Sequence, residues 1–114
     1  MGVMNYTEYR LKADIDLSAS GDNTVISAPG AGKYIVIDGL YFVVGGSAVD
    51  VQLKTGSTSY GGLLRLQSNQ SIAIENTIQN RLGVITLGLN EGFVMNLSAA
   101  VNVGGFVRYR VIAN

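Results

Sequence analysis

Lys33, preceded by Pro29, Gly30 and Gly32, is the first place in this chain where residue types and spacing suggest chemistry. A lysine after a glycine-rich stretch is half of a phosphate-binding loop, in which backbone N–H groups and an ammonium hold phosphate oxygens at the start of a helix. The other half is missing. Such a loop needs a glycine where Ser27 stands, a Ser or Thr where Tyr34 stands, and a helix where "YIVID" follows. The same residues spell a turn instead: Pro29 and Gly30 make the corner, Gly32 relaxes the exit, and Lys33 starts a strand with its ammonium in water.

Carboxylates come next. Asp14 and Asp16, two apart on a strand, share a face and could contribute to a calcium site or, with a third acid, to general acid-base work. A hard cation takes about six to eight oxygens, and no dense acidic loop supplies them, so the pair reads as polar edge positions. Asp38 interrupts the apolar run "YIVIDGLYFVV" just before Gly39. A strand bulge, or a carboxylate bonded to its own turn or to a neighbouring arginine, accounts for it.

Arg108 and Arg110 share one strand face, with Tyr109 on the other. They are expected to point outward and to pair with acids on the next strand or on a partner, which makes both candidate partner contacts. A reader of nucleic acid needs stacking rings beside its basic residues and an excess of positive charge. Eight basic residues against eight acidic ones, for a formal net charge of zero, provide no such field for nucleic acid or an anionic membrane. Tyr6, Tyr9, Tyr34, Tyr41 and Tyr60 suit contact surfaces or sugar stacking, because a tyrosine can be half buried with its hydroxyl still satisfied. Tyr60, in the "STSYGG" loop, is the best single candidate for stacking on a sugar, and Tyr6 and Tyr9 for packing against a partner.

The chain has no histidine and no cysteine. Disulfides, thiolate nucleophiles, the usual structural zinc and imidazole catalysis are therefore excluded, and no cofactor or metal is expected. The reading is of a protein that is not an enzyme.

The elements that must position these residues are strands. Val49, Val51 and Leu53 alternate with Asp50, Gln52 and Lys54, as befits a half-buried strand. The period of two returns in "QSIAIE", in "FVMNLSA" and in "FVRYRVI", where Val107, Tyr109 and Val111 fall together. "YRLKADID", "NTVISA", "KYIVIDGLYFVV", "GLLRLQ" and "GVITLGL" are strand-like with less certain register. Between them stand Gly-, Asn- and Ser-rich turns, and no window carries a helical stripe. The predicted fold is all-β, an antiparallel β-sandwich of about eight strands. One domain spans residues 14–114, with residues 1–13 either an amino-terminal arm or the first edge strand. No secretory signal opens the sequence, because "MGVMNYTEYRLKADID" turns polar before an apolar core of sufficient length. The longest apolar stretch, broken by Asp38 and Gly39, is too short to cross a bilayer. High apolar content (47%) at zero net charge favours a subunit held against partners.

"NEGFVMNLSAAVNVGGFVRYRV", residues 90–111, resembles the ending of small tailed-bacteriophage virion proteins, and "GKYIVIDGLYFVVGGSAVDVQLKTGST", residues 32–58, is similar to the matching front half. The resemblance covers about residues 22–112. It implies a jelly-roll-like sandwich that assembles with copies of itself, often as a trimer, on the outside of a capsid or in a tail or fibre. Carried onto this sequence, it makes Asn96 to Ala100 strand and turn, Gly104 and Gly105 a last hinge, and Tyr109 part of the final strand. The resemblance does not choose among shell decoration, fibre attachment and host recognition. Absent catalytic residues, small size and neutral charge make the first expectation a capsid decoration or cement protein, made in the host cytoplasm and bound to the capsid surface through self-association and the major capsid protein. The alternative is a fibre or receptor-binding module that recognises host surface carbohydrate, marked by an outward cluster of aromatics beside Asp, Asn or Gln.

Overall fold

The computed structural model describes residues 11–75 and 83–114. Ten strands run through them: β1 Leu11–Leu17, β2 Gly21–Ile26, β3 Lys33–Val44, β4 Val49–Thr55, β5 Thr58–Ser59, β6 Leu64–Leu66, β7 Ser71–Glu75, β8 Ile85–Thr86, β9 Phe93–Leu97 and β10 Val103–Ala113. No helix occurs among the described residues. Every pairing is antiparallel. One sheet has the order β1-β10-β3-β7, with β8 also on β3; the other has β2-β9-β4-β5, with β6 also on β4.

That order is a jelly roll of eight strand positions. β7 and β8 occupy successive stretches of the same edge of β3, Val43 to Gly39 and then Ile37 to Val36. β5 and β6 divide the edge of β4 in the same way. The expected count of about eight is thus met by ten segments, because two positions are each filled by two short strands.

The core lies between the sheets. Val49, Val51 and Leu53 meet Phe93, Met95 and Leu97 from one side, and Ile35, Ile37, Leu40, Phe42 and Val107 from the other. The period of two holds within β4 and β9 and breaks in β3, where odd residues face the core up to Ile37 and even ones from Leu40 onward. The cause is a bulge: Arg108 pairs with Gly39 and Tyr109 with Ile37, so Asp38 is the extra residue. Without it one half of this long central strand would turn its apolar side chains to the outer face.

Two glycine sites bear on the expectations. Gly30 (φ 114°) and Gly32 (φ 75°) hold the turn before β3, and the Lys33 amide donates to the Gly30 carbonyl at 3.2 Å. The "PGAGK" stretch is a corner leading into a strand, as read. Gly104 and Gly105, implied as a hinge, lie inside β10 instead, opposite Val43 and Phe42. A Cβ on Gly105 would stand 1.9 Å from the Tyr41 carbonyl oxygen, so the glycine serves close approach of two strands rather than bending.

Candidate functional site

On the outer face of the first sheet, β10 contributes Phe106, Arg108 and Arg110, β3 contributes Tyr41, Gly39, Asp38 and Val36, and β7 contributes Ala73 and Glu75. Phe106 and Tyr41 are direct cross-strand partners. Their ring centroids lie 5.7 Å apart at 41°, a tilted aromatic pair. The Arg108 guanidinium carbon lies 5.8 Å from the centre of the Phe106 ring. Arg108 then crosses the bare backbone of Gly39, whose missing Cβ would have come within 3.3 Å of Nη2, and donates to Glu75 Oε2 at 2.7 Å. These residues line a shallow groove of about 470 Å³, within the range of small-ligand sites.

Arg110, one step along the same face, is placed differently. Its Nε donates to Asp38 Oδ2 at 2.7 Å and its Nη2 to Oδ1 at 2.9 Å, a two-pronged ion pair whose side chains are 6% and 2% exposed. The bulge points the Asp38 carboxylate to the outer face, where Arg110 meets it. Both anticipated explanations of Asp38, a bulge and a neighbouring arginine, hold together.

A second groove, of about 560 Å³, opens at the mouth of the sandwich, between the β5–β6 loop and the inner side of β7. Tyr60, Leu64, Ile72 and Ile74 line it. The Gln52 side-chain amide holds the loop by donating to the carbonyls of Tyr60 and Gly61, at 3.3 and 3.2 Å. Tyr60, Leu63 and Ile74 are 40%, 46% and 39% exposed, a strip of apolar surface along this edge. The grooves share Ala73 and Ile74, so β7 has an accessible apolar margin on both faces.

Of the residues singled out, Tyr60 lies at the second groove and Arg108 at the first, while Arg110 is buried in the sheet. Tyr6 and Tyr9 lie outside the described residues; Leu11, Lys12 and Ala13 form the start of β1, paired with Tyr109, Arg108 and Val107. Asp14 and Asp16 are exposed on the outer face of β1, and Lys12 donates to Asp14 at 3.0 Å. No group of three potential metal ligands occurs among the described residues.

The aromatic pair was missed. Parity along "FVRYRV" puts Phe106 on the face of Arg108 and Arg110, so that half could have been found by counting back two residues. Tyr41 was already among the tyrosines suited to contact surfaces or sugar stacking, but its face could not be read, because it depends on the bulge at Asp38.

No protein-family model matches the sequence, and a search of curated proteins finds no match. Among solved structures, a chain of the Bacillus endospore appendages, which form a family of disulfide-linked pili, shares the fold with a TM-score of 0.54 at 14% identity, over 99% of this chain and 96% of that one. The likeness is one of fold. These 114 residues contain no cysteine, so the disulfide linkage of those pili has no counterpart within them.

Proposed function

We propose that this chain is a non-enzymatic structural subunit of a bacteriophage virion, a decoration or cement protein on the capsid surface that acts through self-association and contacts with the major capsid protein. The observation that carries the self-association is the apolar margin of β7. Ile74 and, across the groove, Tyr60 stay about two-fifths exposed, with Leu63 exposed on the same loop as Tyr60, and completing the burial of each aliphatic side chain would contribute about 1 kcal/mol. The jelly roll, whose edge strands carry no further strand among the described residues, and its likeness to a subunit of an assembled appendage support the structural role. The virion setting rests on the sequence resemblance.

Light scattering of the purified chain tests the reading. A trimer is expected, and Ile74→Asp, which places a charge in the margin, should shift the population toward the 12.0 kDa monomer without unfolding it. A wild-type chain that stays monomeric at micromolar concentration would remove the self-association, and a density map of the assembled particle would place the subunit on the shell or elsewhere.

A second reading, a fibre or receptor-binding module for host carbohydrate, is favoured by one specific observation. Tyr41 and Phe106 form an outward aromatic cluster with Glu75 and Arg108 beside it.

A further inference from the structure

We propose that the groove on the outer face of the first sheet, between Tyr41, Phe106, Arg108 and Glu75, binds an uncharged saccharide. The proposal rests on the second reading above and assigns it a site and a ligand class.

Three features converge. The first is the pair of rings. Tyr41 is 38% exposed and Phe106 half buried, tilted by 41° at 5.7 Å, so they offer a shallow apolar platform instead of filling a core. The C–H face of a pyranose packs on such rings. The second is the ring of polar atoms around it. Arg108 commits Nη2 to Glu75 Oε2 and retains further N–H donors, Glu75 retains Oε1 as an acceptor, and the Tyr41 hydroxyl does either. Vicinal hydroxyls of a sugar need donors and acceptors side by side at the margin of an apolar surface.

The third feature is charge. Among the described residues that line the groove, Arg108 and Glu75 are the charged ones, and they neutralise one another at 2.7 Å. The pair therefore offers strong, directional hydrogen bonding with its own charges balanced, as do Lys12 and Asp14, paired with each other at 3.0 Å on the neighbouring strand β1. An anionic polymer would want unpaired arginines, and Arg110, the nearest candidate, is engaged by Asp38 in the sheet. The groove's volume of about 470 Å³ falls in the range of small-ligand sites, and Gly39 and Ala73 keep its floor low. A protein partner would use the same rings and arginine, and is the competing occupant.

The test uses the whole chain with three neutral probes, maltotriose, cellotriose and chitotriose, to about 10 mM, enough to register millimolar affinity. Titration calorimetry and saturation-transfer NMR are the readouts. Saturable binding of at least one probe is expected, weakened about tenfold or more by Phe106→Ala, as for loss of a stacked ring. Ala73→Arg, which fills the groove and leaves both rings in place, should abolish it. A melting curve controls for folding, and two independent variants keep the test valid if one fails to fold. Binding that neither variant changes would overturn this site while leaving the carbohydrate reading intact. No binding of any probe would overturn both. A change in oligomeric state with either variant, and no saccharide binding, would assign the groove to a protein partner and overturn the proposal.

Discussion

Arg108 and Arg110 stand two residues apart on one strand and one face, yet the molecule uses them oppositely. Arg110 meets Asp38 with both side chains almost wholly buried, whereas Arg108 and Glu75 are 39% and 64% exposed. The difference comes from β3. Between the partners of Arg108 and Tyr109 the strand carries an extra residue, Asp38, whose carboxylate is turned to meet the Arg110 guanidinium, while opposite Arg108 it carries Gly39, which lets the arginine lie flat and reach the next strand. One end of the sheet's outer face is thus built into the fold and the other left open to contact. Residue type and face say little about an arginine's role until the partner strand is known.

The largest effect expected from breaking this contrast is at the buried end. Asp38→Ala removes the two-pronged partner of a buried guanidinium and should cost about 3–5 kcal/mol, a large share of a small domain's stability. Chemical denaturation of wild type and variant measures it. A loss below 1 kcal/mol would mean that the pair is solvated after all. Glu75→Gln probes the open end and should change stability by no more than about 1 kcal/mol, with a dependence on salt that the buried pair lacks. Comparable losses at the two sites would erase the distinction between a structural and an accessible end.

The contrast also explains what could be read without coordinates. The alternation of Val49, Val51 and Leu53, and of Phe93, Met95 and Leu97, is regular because these strands keep one register, so their core faces follow from the period. The Asp38 interruption was legible as a bulge, since a carboxylate in an apolar run needs a local reason. Which arginine it meets was not, because that depends on the β3–β10 register, a pairing between residues about 70 apart in the chain. Tyr41 was among the tyrosines suited to contact, but its face was hidden for the same cause: one inserted residue reverses the face of all that follows. The short strands β5 and β8, two residues each, carry too little periodicity to separate from turns. Tyr60 was chosen as an exposed aromatic in a glycine-rich loop; it is exposed, but at the other groove, away from the paired rings.

A third ion pair, on the opposite sheet, sharpens the comparison with the smallest effect. Asp22 on β2 accepts from the Asn96 side-chain amide at 2.7 Å and from Lys54 at 3.0 and 3.1 Å, with Lys54 16% and Asp22 51% exposed, between the two extremes above. The amide of Asn96 first, and then the Lys54 ammonium, hold the Asp22 carboxyl below its ordinary value of 3.8, although partial desolvation works the other way. A carboxyl whose folded-state value is depressed binds its proton more readily in the unfolded chain. Its stabilising contribution is therefore complete above the ordinary value and is lost as pH falls through the depressed one. Asp22→Asn removes that contribution, so its melting temperature should lie slightly below wild type at neutral pH and converge on it as the solution is acidified past 3.8. Melting curves from neutral to strongly acid pH at low salt provide the measurement. Parallel curves, with a constant gap at every pH, would show that Asn96 and Lys54 favour Asp22 as a polar group and not as an anion. The depressed titration would then play no part in holding β2 to β9 and β4.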